Sequence, residues 1–130
     1  MHDGSYRRVP WLSRIAPEVG IPAVCAACGA ASDNGIAIPW GNERFEFCGR
    51  AHYEEWRQRR LLAQLHACVQ FGEDAYSEMY ETRSPSGSYS DAKESFYSAI
   101  QIASELEMAE KELELRKRVE HIKNVFRSQF

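Results

Sequence analysis

The sequence predicts a mainly α-helical protein in which a small β-hairpin module precedes an α-helical hairpin or bundle. Residues 23–48 are rich in glycine, proline and turn-forming residues, and apolar side chains alternate there with polar ones, as they do in short strands. From about Gly49 onward, apolar residues recur at steps of three and four, which is the spacing of an amphipathic helix. A chain of 130 residues fits one domain, or one small module joined to a helical segment.

The first 22 residues are expected to form an irregular arm. Pro10, Pro17, Gly20 and Pro22 interrupt any long helix or central strand in this stretch. Residues 1–22 are therefore assigned to an arm that precedes the first module.

Residues 23–60 are expected to form that module, with one or two hairpins. Residues 32–35, Ser-Asp-Asn-Gly, have the composition of a turn. Apolar residues that alternate in the manner of strands lie on its C-terminal side: Ile36, Ile38, Trp40, Phe45 and Phe47.

A helical region is expected over residues 61–130, with its first helix starting inside the module. That helix is expected at about 50–81, and Gly72 is a point where it could divide in two. Residues 83–88 are predicted to be a loop from their serine, proline and glycine content.

Two apolar stripes follow the predicted loop, and they are out of phase with each other. The first consists of Phe96, Ile100, Ala103 and Leu106, and the second of Leu115, Val119, Ile122 and Phe126. A straight helix would carry the first stripe into charged residues, so a break near 107–110 is predicted, with antiparallel helices at about 91–106 and 109–127. Asp91 and Glu94 have capping-box spacing at the expected start. The alternative is one bent helix of ~40 residues, which is unusually long.

Four residues have the spacing of a metal site, in the pattern C-x2-C-x19-C-x3-H: Cys25, Cys28, Cys48 and His52. Zinc in structural sites prefers four tetrahedral thiolate and imidazole ligands. Cys25 and Cys28 can turn both sulfurs to one point, and Gly29 supplies the backbone freedom that such a knuckle needs. Cys48 and His52 lie four residues apart, hence on one face of a helix that begins near Gly49. These two half-sites predict one structural zinc ion.

The same residues resemble a treble-clef zinc finger of the TRASH and MYM-type families. Cys25-Ala26-Ala27-Cys28-Gly29 is similar to their knuckle, and Phe47-Cys48-Gly49-Arg50-Ala51-His52 is similar to the start of their helix. The resemblance covers residues 23–60, and this chain carries His52 where those families usually have cysteine. It implies a knuckle, a hairpin and a helix around a structural zinc ion.

Other roles are open to these residues. Cys25 and Cys28 could be ordinary buried thiols or a redox pair. The segment His52-Tyr53-Glu54 matches the H-x-E of zinc deaminases, but the order of motifs is reversed and a closed four-ligand site leaves no position for substrate. The sequence holds no serine–histidine, carboxylate-pair or phosphate-loop arrangement. An enzyme is therefore not expected.

Charge is unevenly distributed along the chain. Residues 1–60 hold eight arginines against seven acidic residues, whereas residues 61–130 hold eight basic against twelve acidic residues. Nucleic-acid contacts, if any, are expected at arginines around the metal site: Arg44, Arg50, Arg57 and Arg60. The alternative is that such arginines pair with acidic residues of 105–114. The aromatic residues Trp40, Phe45, Phe47 and Trp56 are expected to cover the metal, with a base-stacking platform as the alternative.

These observations predict a small zinc-binding adaptor or regulator that acts through an unidentified protein partner, and a nucleic-acid-associated regulator is the alternative. No run approaches the ~18 apolar residues of a membrane helix, and the first residues lack the apolar stretch of a secretory signal. A cytoplasmic location is expected, where four cysteines point to metal ligands or free thiols. The oligomeric state is not predicted.

Overall fold

A computed structural model describes Leu12 and residues 15–130 of the chain. Its described part falls into two compact units, one that ends at Leu61 and one that runs from Leu62 to Phe130. A three-stranded antiparallel sheet comes first along the chain, and three helices follow. The predicted fold class, mainly α with a small β module at its start, is confirmed. No helix in the described ranges combines the length and the apolar character that crossing a membrane requires.

The sheet has the strand order β1-β2-β3, with β1 over Glu18–Val24, β2 over Ala31–Trp40 and β3 over Glu43–Phe47. The expected irregular arm is wrong for residues 18–22, which belong to β1, and most of its earlier residues lie outside the described part. Proline and glycine are tolerated here because β1 is an edge strand whose register shifts twice, and Gly20 takes a φ of +67° at the first shift.

The turn expected at residues 32–35 is also wrong, because β2 runs through it without interruption. Gly35 lies in the middle strand, where a Cβ atom would stand 2.6 Å from the Ala23 Cβ and 2.6 Å from the Phe47 carbonyl oxygen. The glycine therefore serves close packing of three strands and not a turn. The β2–β3 hairpin instead turns at Gly41, whose φ is +63°.

The sheet packs against the first turns of the helix that follows it, α1. Phe47 is 1% exposed, and its ring centroid lies 5.9 Å from that of Tyr53 and 5.3 Å from that of Trp56. Phe45 also contacts Trp56, with centroids 5.0 Å apart. Trp40 is buried as well. Phe47 and Trp40 thus belong to the buried core of this module, and Phe45 and Trp56 pack against each other beside it.

The helices are α1 over Arg50–Glu78, α2 over Pro85–Glu105 and α3 over Ala109–Gln129. Gly72 does not divide α1, which is continuous. The predicted loop at 83–88 is wrong, because α2 begins at Pro85 and not at Asp91. Proline suits the first helical position, where its fixed φ is already helical and its missing N–H has no partner to lose.

The predicted break between the last two helices is confirmed, so the single bent helix is excluded. Glu107 takes a φ of +57°, and its N–H donates to Ser104 O, while the N–H of Met108 donates to Ala103 O. These two bonds form a Schellman motif, which ends α2. The helices then run antiparallel, since Tyr89 stacks on Phe126 across the pair.

The three helices share a buried core to which each contributes. Its largest fully buried members are Leu65, Cys68, Met79, Phe96, Ile102 and Ile122. At the edge of this core, the guanidinium of Arg118 binds both carboxylate oxygens of Glu73, at 3.1 and 2.6 Å. The Tyr76 hydroxyl lies 3.2 Å from His121 Nε2. These polar contacts join α1 to α3.

Gly72 provides a test of the helical packing. A Cβ atom at this position would lie 2.6 Å from the ring of Phe96, which is fully buried. Alanine normally stabilises a helix interior by about 1 kcal/mol relative to glycine. Here we expect Gly72→Ala to destabilise the protein by about 1–3 kcal/mol, because the buried ring of Phe96 would have to shift to admit the methyl group. Urea denaturation followed by circular dichroism measures the change.

Gly87→Ala is the matched control for Gly72→Ala. Gly87 lies in the first turn of α2, and a Cβ atom there would meet nothing within 4 Å. The free energy of unfolding of the Gly87→Ala variant should equal that of the wild type or be slightly higher. Equal effects of the two substitutions would contradict the close contact between Gly72 and Phe96.

Candidate metal centre

The structure brings all four predicted metal ligands together. The three sulfurs and the imidazole nitrogen of Cys25, Cys28, Cys48 and His52 all lie within 4.8 Å of one another. His52 Nδ1 is 3.4 Å from Cys25 Sγ and 3.3 Å from Cys48 Sγ. Cys28 Sγ is 3.8 Å from Cys48 Sγ. Within residues 15–130, this is the group of histidine, cysteine and acidic side chains that can hold a metal ion.

The first half-site is a tight knuckle directly after β1. The N–H of Cys25 donates to Ala30 O at 2.9 Å, and the N–H of Gly29 donates to Cys25 O at 2.8 Å. Gly29 has a φ of +76°, a left-handed backbone conformation that glycine adopts at little cost, as predicted for this knuckle. The N–H of Ala26 donates to Glu46 O at 2.8 Å, which fixes the knuckle to β3.

The second half-site lies between the end of β3 and the first turn of α1. Cys48 follows the last residue of β3 and precedes the first turn of α1. The N–H of Tyr53 donates to Gly49 O, which starts the helical hydrogen bonds just ahead of the Arg50 turn. Cys48 and His52 are one helical turn apart, so both side chains face the knuckle.

The site stabilises one thiolate and opposes a second. Burial on its own would raise the pKa of Cys25, but the backbone N–H groups of Cys48, Cys28 and Ala27, together with His52, lower the pKa to about 6. Burial, followed by the neighbouring sulfurs of Cys25 and Cys28, raises the pKa of Cys48 to about 11. A cluster of several thiolates is therefore unfavourable unless a cation lies between them.

The donor set and its spacing fit a zinc ion. A tetrahedral ion with Zn–S of about 2.3 Å and Zn–N of about 2.0 Å places sulfurs about 3.8 Å apart and sulfur about 3.5 Å from nitrogen. The Cys28–Cys48 and Cys48–His52 distances of 3.8 and 3.3 Å are close to these values. Soft thiolates also disfavour magnesium and calcium, which prefer oxygen. Four protein ligands would complete the tetrahedron.

Two of the four arginines proposed for nucleic acid are paired with carboxylates. Arg44 on β3 contacts Glu18 at 3.1 Å and Glu46 at 3.4 Å, so it ties two edge strands together. Arg50 contacts Glu54 at 3.5 Å, one turn along α1. Both pairs are exposed to solvent, and each lowers the net positive charge that a phosphate would meet.

The other two arginines lie against aromatic rings of α1 and β3. Burial raises the pKa of Tyr53, and the nearby positive charge of Arg57 opposes that rise. The guanidinium carbon of Arg60 is 5.1 Å from the Phe45 ring centroid and 5.5 Å from that of Trp56, within cation–π range. The structure therefore does not gather the four arginines into one cluster free of local partners.

Glu46 supports the site through hydrogen bonds, a role that the sequence does not predict. Its side chain accepts the N–H of Val24 at 3.1 Å, and its carbonyl oxygen accepts the N–H of Ala26. These bonds hold the two residues that flank Cys25 against β3. An acidic residue in a half-exposed strand carries no sequence signal for such a role, because both partners lie some twenty residues away.

No family model, curated protein or solved structure matches this chain. Its function is therefore inferred from the geometry of the site.

Proposed function

We propose that this protein is a small zinc-binding adaptor or regulator that acts through protein–protein interaction, with one zinc ion that fixes the fold of its first unit. The closed Cys25–Cys28–Cys48–His52 donor set carries this proposal. A zinc ion with four protein ligands has no open position for water or substrate, so its role is structural. The thiolate ligands need a reducing environment, which supports an intracellular location.

The arrangement of elements supports the treble-clef resemblance as part of the same proposal. The knuckle after β1 leads into the β2–β3 hairpin. Phe47 ends β3, and Cys48 lies between β3 and the start of α1. In this arrangement the metal joins the two ends of the hairpin and fixes the start of the helix. Such a module presents a rigid surface made of β3 and the first turns of α1.

Protein is favoured over nucleic acid as the partner because the arginines already have local partners. Arg44 and Arg50 are paired with carboxylates, and Arg60 covers aromatic faces that bases would otherwise stack on. The second unit adds an excess of acidic residues. Binding to a polyanion draws its free energy from cations that neutralise phosphates, and the pairing of Arg44 and Arg50 with carboxylates lowers what they can contribute.

The test of this proposal uses the zinc-loaded chain in two assays. We expect no binding of fluorescein-labelled single-stranded DNA, duplex DNA or RNA at ~50 mM salt, measured by fluorescence anisotropy. We expect a protein identified from a pull-down to form a binary complex with the purified wild type, and not with Cys48→Ser, in size-exclusion chromatography.

Oligonucleotide binding with a steep salt dependence would contradict the protein-interaction role. It would favour the nucleic-acid alternative if Arg57→Glu with Arg60→Glu flattened the salt slope by about two units.

A further inference from the structure

A groove of about 270 Å³ lies beside the metal centre, entirely within the first unit. We call it the knuckle groove. The residues that define it are Ala26 and Ala27 of the knuckle, Phe45 of β3, and Trp56, Arg59 and Arg60 of α1. His52, a metal ligand, also lines it. Zinc therefore holds the two sides of the groove, knuckle and helix, at a fixed separation.

The groove combines apolar walls with a cation for which the described residues provide no acidic partner. Arg59 is paired with Glu55, one turn back along α1. Arg60 has no carboxylate partner in the part of the chain that the structure describes, and its guanidinium lies over the rings of Phe45 and Trp56. The rings hold this guanidinium in place, so little side-chain entropy remains to be lost when an anion binds.

We infer that the knuckle groove is a docking site for a partner segment that places an aspartate or glutamate next to a bulky apolar side chain. The carboxylate binds Arg60, and the apolar side chain packs on the two alanines and on the parts of the Trp56 and Phe45 rings that Arg60 leaves uncovered. Tryptophan and arginine are the residue types that most often dominate the binding energy of protein interfaces. This inference rests on the proposed protein-interaction role and assigns that role to one surface.

An acidic peptide fits the groove better than a nucleic-acid strand does. Single-strand binding needs open aromatic faces for stacking, and the Arg60 guanidinium occupies the face shared by Phe45 and Trp56. Single-strand binding also needs a track of cations along the backbone, and Arg59 in this groove is already paired with Glu55. A single carboxylate, in contrast, needs only the guanidinium of Arg60.

The experiment begins with a selection of phage-displayed random peptides on the zinc-loaded full chain. We expect the enriched peptides to share an acidic residue within one or two positions of a bulky apolar residue. The best peptide is then synthesised, and its dissociation constant is measured by calorimetry. Arg60→Gln should weaken binding about tenfold, as expected for loss of a hydrogen bond to a charged group. Arg127→Gln, on α3, is the matched control and should bind like the wild type.

A charge exchange locates the contact. Arg60→Glu should weaken the acidic peptide further, and a peptide with lysine in place of its acidic residue should bind Arg60→Glu more tightly than it binds the wild type. The indole N–H signal of Trp56 should shift in nuclear magnetic resonance spectra when peptide is added. Zinc content equal to that of the wild type shows that each variant is folded.

Several outcomes would overturn the inference. Enriched peptides without an acidic residue, or binding that Arg60→Gln leaves unchanged, would rule out the knuckle groove. If such peptides shifted signals of residues 62–130, the adaptor role would stand and its surface would lie in the second unit. A selection that enriched no peptide, together with oligonucleotide binding, would overturn both the groove and the proposed function.

Discussion

Replacing Cys25 by serine is expected to abolish zinc binding and to unfold the first unit. Freshly purified wild type should hold one zinc ion per chain, and Cys25→Ser should hold almost none, because a serine hydroxyl does not replace a thiolate ligand. Structural zinc contributes on the order of 10 kcal/mol of apparent binding free energy in zinc-finger peptides. The first unit is small, and units of about this size are only marginally stable without such a contribution. Elemental analysis gives the zinc content, and near-ultraviolet circular dichroism reports the packing of Trp40 and Trp56.

Cys68→Ser is the matched control for this experiment. Cys68 is a free cysteine of α1 in the second unit, 2% exposed, and burial raises the pKa of its thiol to about 11. It does not belong to the metal group, so its serine variant should keep the zinc of the wild type. Wild-type protein without zinc, or equal loss of zinc from both variants, would contradict the assignment of the ligands.

The features that were predicted correctly have local causes in the sequence. The four ligands could be found because each pair, Cys25 with Cys28 and Cys48 with His52, has a spacing that its own turn or helix converts into a shared direction. The break before α3 could be found because the apolar stripes change phase, and the chain must end one helix there to bury both.

The features that were predicted wrongly depend on distant neighbours. Gly35 resembles a turn glycine, but it is required where Ala23 and Phe47 crowd the middle strand. Gly72 resembles a helix breaker, but it makes room for Phe96 of another helix. In both cases the sequence shows the small residue and not the partner that explains it. Pro85 is ambiguous in another way, since proline suits both a loop and the first position of a helix.

Removal of zinc by a chelator is expected to disorder the first unit and to leave the helical unit folded. Backbone amides of β2 and β3 should lose their protection from hydrogen exchange, because the knuckle and the start of α1 are no longer held together. Protection should also fall in residues 50–61, the part of α1 that belongs to the first unit. Amides of α2 and α3 should stay protected, since their core residues lie within the second unit. Exchange measured by mass spectrometry on peptides from the two units gives the comparison.

Two further measurements make this result decisive. Returning one equivalent of zinc should restore the protection of β2 and β3, and Cys25→Ser without chelator should give the exchange pattern of the chelated wild type. If α2 and α3 lost protection together with β2 and β3, the two units would form one cooperative core, and zinc would stabilise the whole chain. If protection in the sheet survived chelation, the strands would be held by their own packing around Phe47. A structural role for zinc would then be wrong.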